Sequence, residues 1–137
     1  MNAFRFKMSL RFFGTSFDPA ELSKELGMQP VHMHKVGDQR TTPAGAELEG
    51  TYKASYCTFN IDRRDNDEDL HVTLNRVSAD LSRHMALFNS IREKGDRVEF
   101  FVGWFSDGNT GDTLPFHLLR LLGEMKIDLA LDVYGSD

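Results

Sequence analysis

The chain has 137 residues, a single cysteine, 16 Lys and Arg against 21 Asp and Glu, and a formal net charge of -5. That length suits one domain, 1–137, which can bury roughly two-thirds of its unfolded surface without staples. The lone Cys57 excludes an intrachain disulfide and a cysteine zinc cage, and the acidic balance disfavours nucleic acid, whose phosphates need clustered Lys and Arg.

At the amino end Phe4, Phe6, Met8, Leu10 and Phe12 alternate with Arg5, Lys7, Ser9 and Arg11, the period of a strand with one buried face. The charges there leave no signal-peptide core, and FFVGWF, the longest uncharged apolar string elsewhere, is far below the ~20 residues that span a bilayer. A cytoplasmic protein with no membrane contact is expected, and a single cysteine fits a reducing compartment.

The stretch SFDPAELSKELGMQP predicts a helix with both ends specified. Asp18 accepts from the free first-turn amides, Pro19 is pre-set for the first helical position, Gly27 supplies a left-handed exit and Pro30 prevents resumption. Val31 to Thr41 reads as a strand broken at Gly37-Asp38, and TTPAGAELEG as a loop. TYKASYCTFNID is rich in aromatic and β-branched residues and predicts a central strand with Cys57 and Phe59 on one face.

RRDNDED is a charged turn, with Asp67 or Asp69 expected to cap the helix after it. Leu70, Leu74, Val77, Leu81, Met85, Phe88 and Ile91 form one stripe of a helix of about 25 residues, roughly 37 Å long. RVEFFVGWF is a strand, SDGNTGD a turn, and Asp112 or Thr113 the expected cap of a short apolar helix starting near Pro115. Ile127 to Val133 alternates as a closing strand.

The predicted order is β-α-β-β-α-β-α-β, an α+β fold: a mixed, mostly antiparallel sheet with helices packed on one face. If the first and last strands are neighbours, the basic face of one should pair with the acidic face of the other.

Chemistry-bearing patterns are sparse. His32 and His34 share one side of a strand, as a metal site would require, but the spacing selects no third ligand, so no metal or other cofactor is expected. Asp65, Asp67 and Asp69 alternate as in a calcium loop, yet Leu70 replaces the turn glycine and Arg76 the final Glu. No GxSxG, Walker glycine loop, GxGxxG or HExxH occurs. Cys57 reads as a small core residue. Aligning Phe101-Val102-Gly103-Trp104 with the RNA-reading sheet signature leaves Val98 and Phe100 where glycines belong and puts Glu99 on the RNA side.

Taken together, several motifs resemble the bacterial family known as domain of unknown function 4279. They are Gly14 after the first strand, Asp18-Pro19, Leu26-Gly27-Met28-Gln29-Pro30, and Lys35, Gly37, Asp38 with Arg40. The family's aromatic-led strand, leucine-rich helix and Ile-Asp-rich last strand also find counterparts, although Tyr56 stands where a tryptophan is expected. The resemblance implies a fold and transfers no catalytic set.

The polar residues without an obvious capping duty lie in HKVGDQR: Lys35, Asp38 and Arg40 form the candidate site for an anionic group or an acidic protein surface. The expected function is a non-enzymatic protein-interaction module, immunity-type or regulatory, with another protein as partner. The alternative is an enzyme of unrecognised type acting on a small anionic ligand. A homodimer through an edge strand or FFVGWF is a further contact the pattern allows.

Overall fold

The alternation in the first strand becomes a central strand in the computed structural model, which describes residues 4–65 and 67–135. Asn66 of the expected RRDNDED turn, and the termini of the expected 1–137 domain, lie outside the described residues. β1 (Arg5–Gly14) is hydrogen-bonded on one side to β5 (Ser55–Ile61) and on the other to β6 (Arg97–Phe105), antiparallel in both cases. β2 (His32–His34) extends the sheet antiparallel to β5, and β7 (Asp128–Tyr134) closes it parallel to β6. The order is β2-β5-β1-β6-β7, a mixed and mostly antiparallel sheet in an α+β fold.

The even residues of β1, Phe6 to Phe12, meet Cys57 and Phe59 of β5 and Val98, Phe100 and Val102 of β6 on one buried face. The helices α1 (Pro19–Leu26), α2 (Leu70–Leu81), α3 (Met85–Glu93) and α4 (Phe116–Met125) cover it with the apolar stripes that sequence spacing sets on them. At its centre the Phe12 ring lies 5.9 Å from that of Phe59, edge-on, and 5.9 Å from that of Phe88.

α1 has the ends its sequence specifies. Asp18 Oδ1 accepts from the amides of Ala20 at 2.9 Å and Glu21 at 3.3 Å. Gly27, at φ 66, reverses the chain, and the Met28 amide donates to the Ser23 carbonyl at 3.1 Å.

Several features differ from expectation. The stretch read as a loop supplies all but the last residue of β4 (Glu47–Thr51), which pairs with β3 (Gln39–Thr41) in a separate two-stranded sheet, and the central strand begins at Ser55 rather than Thr51. The ladder is a backbone interaction, and the turn is closed by the Ala46 amide on Thr42 Oγ1, so the strand needs no apolar alternation. The long helix is divided by a 3-10 turn, Ser82–His84, between α2 and α3. Ser82 Oγ donates to the Ala79 carbonyl at 2.6 Å, a local bond that competes with the helical ladder.

Helix capping also differs. Asp69 occupies the N-cap position of α2 without a side-chain bond, Asp67 donates its amide to Asp65, and the cap comes instead from Asp112. Asp112 therefore does not cap α4, whose N-cap position is Pro115 and which has no side-chain cap. Finally, β6 stands between β1 and β7, so the basic and acidic strand faces do not pair directly.

Candidate functional site

Lys35, Asp38 and Arg40 occupy the turn after β2 and the start of the β3–β4 hairpin, and all three are exposed. Asp38 Oδ2 accepts the Lys35 amide at 3.0 Å and so closes the turn. The Lys35 ammonium pairs with Asp18 Oδ2 at 3.0 Å. That hydrogen bond is the largest cause holding the Asp18 carboxyl below, and the Lys35 amine above, its ordinary value. The same carboxylate thus caps α1 and ties it to the turn. Arg40 Nη1 donates to the Glu49 carbonyl at 3.3 Å, across the hairpin. Lys35 and Asp38 share the turn, while the Lys35 and Arg40 side chains are directed to different elements.

His34 is stacked on Tyr52, with ring centroids 3.6 Å apart and planes 7° apart, and burial lowers its imidazole below its ordinary value. His32 is exposed beside it on the same strand. Among the described residues no three His, Cys, Asp or Glu side chains converge as a metal cage. Cys57 is fully buried, and desolvation pushes its thiol up to about 11, which keeps it from acting as a thiolate near neutral pH.

Two further ionic clusters secure loops. Asp112 Oδ2 accepts the His71 amide at 2.8 Å, and Asp112 Oδ1 lies 2.8 Å from His71 Nδ1, so one carboxylate caps α2 and orients an imidazole. Glu68 accepts from Arg76 Nη2 and from Thr73 Oγ1, each at 2.6 Å, and from the Arg64 amide at 3.2 Å. These donors, Arg76 foremost, lower the Glu68 carboxyl to about 2 against desolvation.

The helix-free face of the sheet carries a further set of charged side chains, which the sequence pattern did not single out as a site. Arg5, Lys7, Ser9 and Arg11 stand in a row along β1. β6 places Glu99, Phe101, Gly103 and Phe105 beside them, and β7 places Asp128 and Asp132 beyond. No helix covers Phe101 and Phe105. Instead the Arg11 guanidinium lies 3.7 Å from the Phe101 ring centroid, and Tyr134 stacks on Phe105 at 5.0 Å. FFVGWF is therefore an internal strand, and the edges of the sheet are β2 and β7, the latter with Leu131 and Val133 half or more exposed. The available signal was the basic alternation of β1 together with a glycine inside an aromatic strand.

Among the described residues no helix is long and apolar enough to cross a membrane. No curated protein and no solved structure matches the chain. A family profile does match, over residues 4–136, a span that takes in every element from β1 to β7. The chain belongs to the family described as Domain of unknown function (DUF4279).

Proposed function

We propose that this protein is a non-enzymatic protein-interaction module of an immunity-type or regulatory kind, acting in the cytoplasm, whose recognition element is the β3–β4 hairpin with Lys35, Asp38 and Arg40 at its base. One observation carries the reading: every strand residue of the hairpin, three in β3 and five in β4, is exposed. An isolated two-stranded ribbon is marginal in water. Its root is anchored by the Gly37 amide on the Tyr52 carbonyl and the Tyr52 amide on the Asp38 carbonyl, each at 2.9 Å, and by the His34–Tyr52 stack. Such a ribbon adds nothing to the core and leaves its side chains available to a partner, with Arg40 offering a planar fork to a carboxylate.

The test is affinity capture from the native host, with the unmodified chain and the Lys35→Ala, Arg40→Ala double variant in parallel. A partner retained by the first and lost from the second, with both melting alike, supports the reading. Capture of only the chain itself would point instead to self-association through the β7 edge and would overturn it.

A further inference from the structure

The register of the open face creates a hollow. Ser9 lies between Asn60 of β5 and Phe101 of β6, and Lys7 lies opposite Gly103. Because Gly103 has no side chain, the face drops to backbone there. The Phe105 ring leans in, its Cε2 3.5 Å from where a Cβ on Gly103 would stand. The hollow measures about 210 Å³ and is bounded by Lys7, Ser9, Arg11, Asn60, the Phe101 and Phe105 rings, and Tyr134 stacked on Phe105. That is smaller than the roughly 300–1,000 Å³ of sites for drug-sized ligands, so its occupant is small.

Arg11 sets the chemistry. It sits directly across from Glu99, yet the two form no ion pair, and the guanidinium lies on the Phe101 ring instead. Its Nε is shielded from solvent and has no acceptor, and among the described residues the guanidinium makes no hydrogen bond or ion pair. A partly desolvated cation without an acceptor gains from an incoming anion, and a fork already seated over a ring loses little freedom in binding one. Lys7 adds a second positive charge at the other end of the hollow. On the β7 side Asp132, which accepts the Tyr134 hydroxyl, lies beside Gly103, and Glu99 stands beyond Arg11. Two cations bordered by two carboxylates suit one negative charge and oppose a polyanion.

We propose that this hollow binds a small flat monocarboxylate, an aromatic or heteroaromatic acid, with its carboxylate on Arg11 and its ring against Phe105 over Gly103, at the Lys7 end. This inference is independent of the hairpin: the hollow lies on β1, β5 and β6, on the face the helices leave open, whereas β3 and β4 form a separate sheet.

Amide and arginine-side-chain NMR on the full chain, titrated with sodium benzoate, tests it. Saturable shifts at Ser9, Arg11, Phe101 and Gly103 are expected. Benzyl alcohol, equal in shape but neutral, should give none, and phenyl phosphate should bind more weakly than benzoate. Arg11→Gln should weaken benzoate roughly tenfold or more, the loss of a charge-assisted pair. Gly103→Ala raises the floor with a Cβ that meets only ordinary contacts, so it should fold and weaken binding. Absence of saturable shifts, equal binding of benzyl alcohol, unchanged affinity in Arg11→Gln or Gly103→Ala, or tighter binding of phenyl phosphate would each overturn the assignment.

Discussion

The Asp96 carboxylate occupies the space where a side chain on Gly14 would stand: a Cβ built on Gly14 would lie 2.0 Å from Asp96 Cγ. From that position Asp96, itself buried, accepts the amides of Thr15 at 3.1 Å and Ser16 at 2.8 Å, and also the Ser16 hydroxyl. The turn between α3 and β6 thereby clamps the connection from β1 to α1, and Gly14 is at φ 151, where a side chain is strained in any case. Gly14→Ala should destabilise the fold by roughly 2–6 kcal/mol, the sum of backbone strain and overpacking. Urea unfolding measures it. An Asp96→Ala background removes the carboxyl group but keeps the Asp96 Cβ, 2.5 Å from a Cβ on Gly14, so the added cost of Gly14→Ala should shrink yet stay above the strain alone.

The cap of α2 gives a sharper contrast. Asp112→Ala removes the side chain that accepts the His71 amide and should cost about 0.5–2 kcal/mol. Asp69→Ala, at the exposed position adjoining the helix in sequence, should stay within about 0.5 kcal/mol. Paired thermal melts of the two variants decide between a cap from the adjoining residue and a cap from 41 residues away.

Glu68 should contribute to acid sensitivity. Its folded carboxyl titrates at about 2 against an ordinary 4.5, so the native state favours the ionised form. The resulting stability is present above the ordinary value and is lost as pH falls through the window from 4.5 to about 2. Glu68→Gln should lower stability at neutral pH by roughly 1–3 kcal/mol and flatten the decline across that window. Unfolding free energies measured from pH 7 downward, side by side with the unmodified chain, read both effects.

Cys57 provides a probe of global opening. A fully buried thiol pushed up to about 11 should resist iodoacetamide at mildly alkaline pH and react fully in denaturant. Rapid labelling of the folded chain would show that β5 opens locally.

The elements legible in the sequence are those whose instructions lie within a few residues of one another. β1 and β6 declare a buried face by alternation, and α1 carries its cap, its first-turn proline and its exit glycine within ten positions, Asp18 to Gly27. The 3-10 turn at Ser82–His84 left no comparable signal, because no Gly or Pro marks it and a serine hydroxyl alone redirects the ladder. β4 was hidden for a related reason: an exposed ribbon held by backbone bonds has no hydrophobic pattern to display.

For the sites the division is the same. Lys35, Asp38 and Arg40 could be named from a short polar string around a glycine, but that Lys35 turns to Asp18 depended on how α1 packs beside β2. The hollow beside Arg11 needed three strands in register, because Lys7, Asn60 and Gly103 are neighbours only once β1 lies between β5 and β6. By itself the sequence determined the local elements and the α+β layering, since periodicity and end signals act at short range. Only the tertiary structure decided which carboxylate caps which helix, that β6 separates the basic from the acidic strand, and where cations meet bare backbone, because those partners are brought together by strand pairing and core packing across tens of residues.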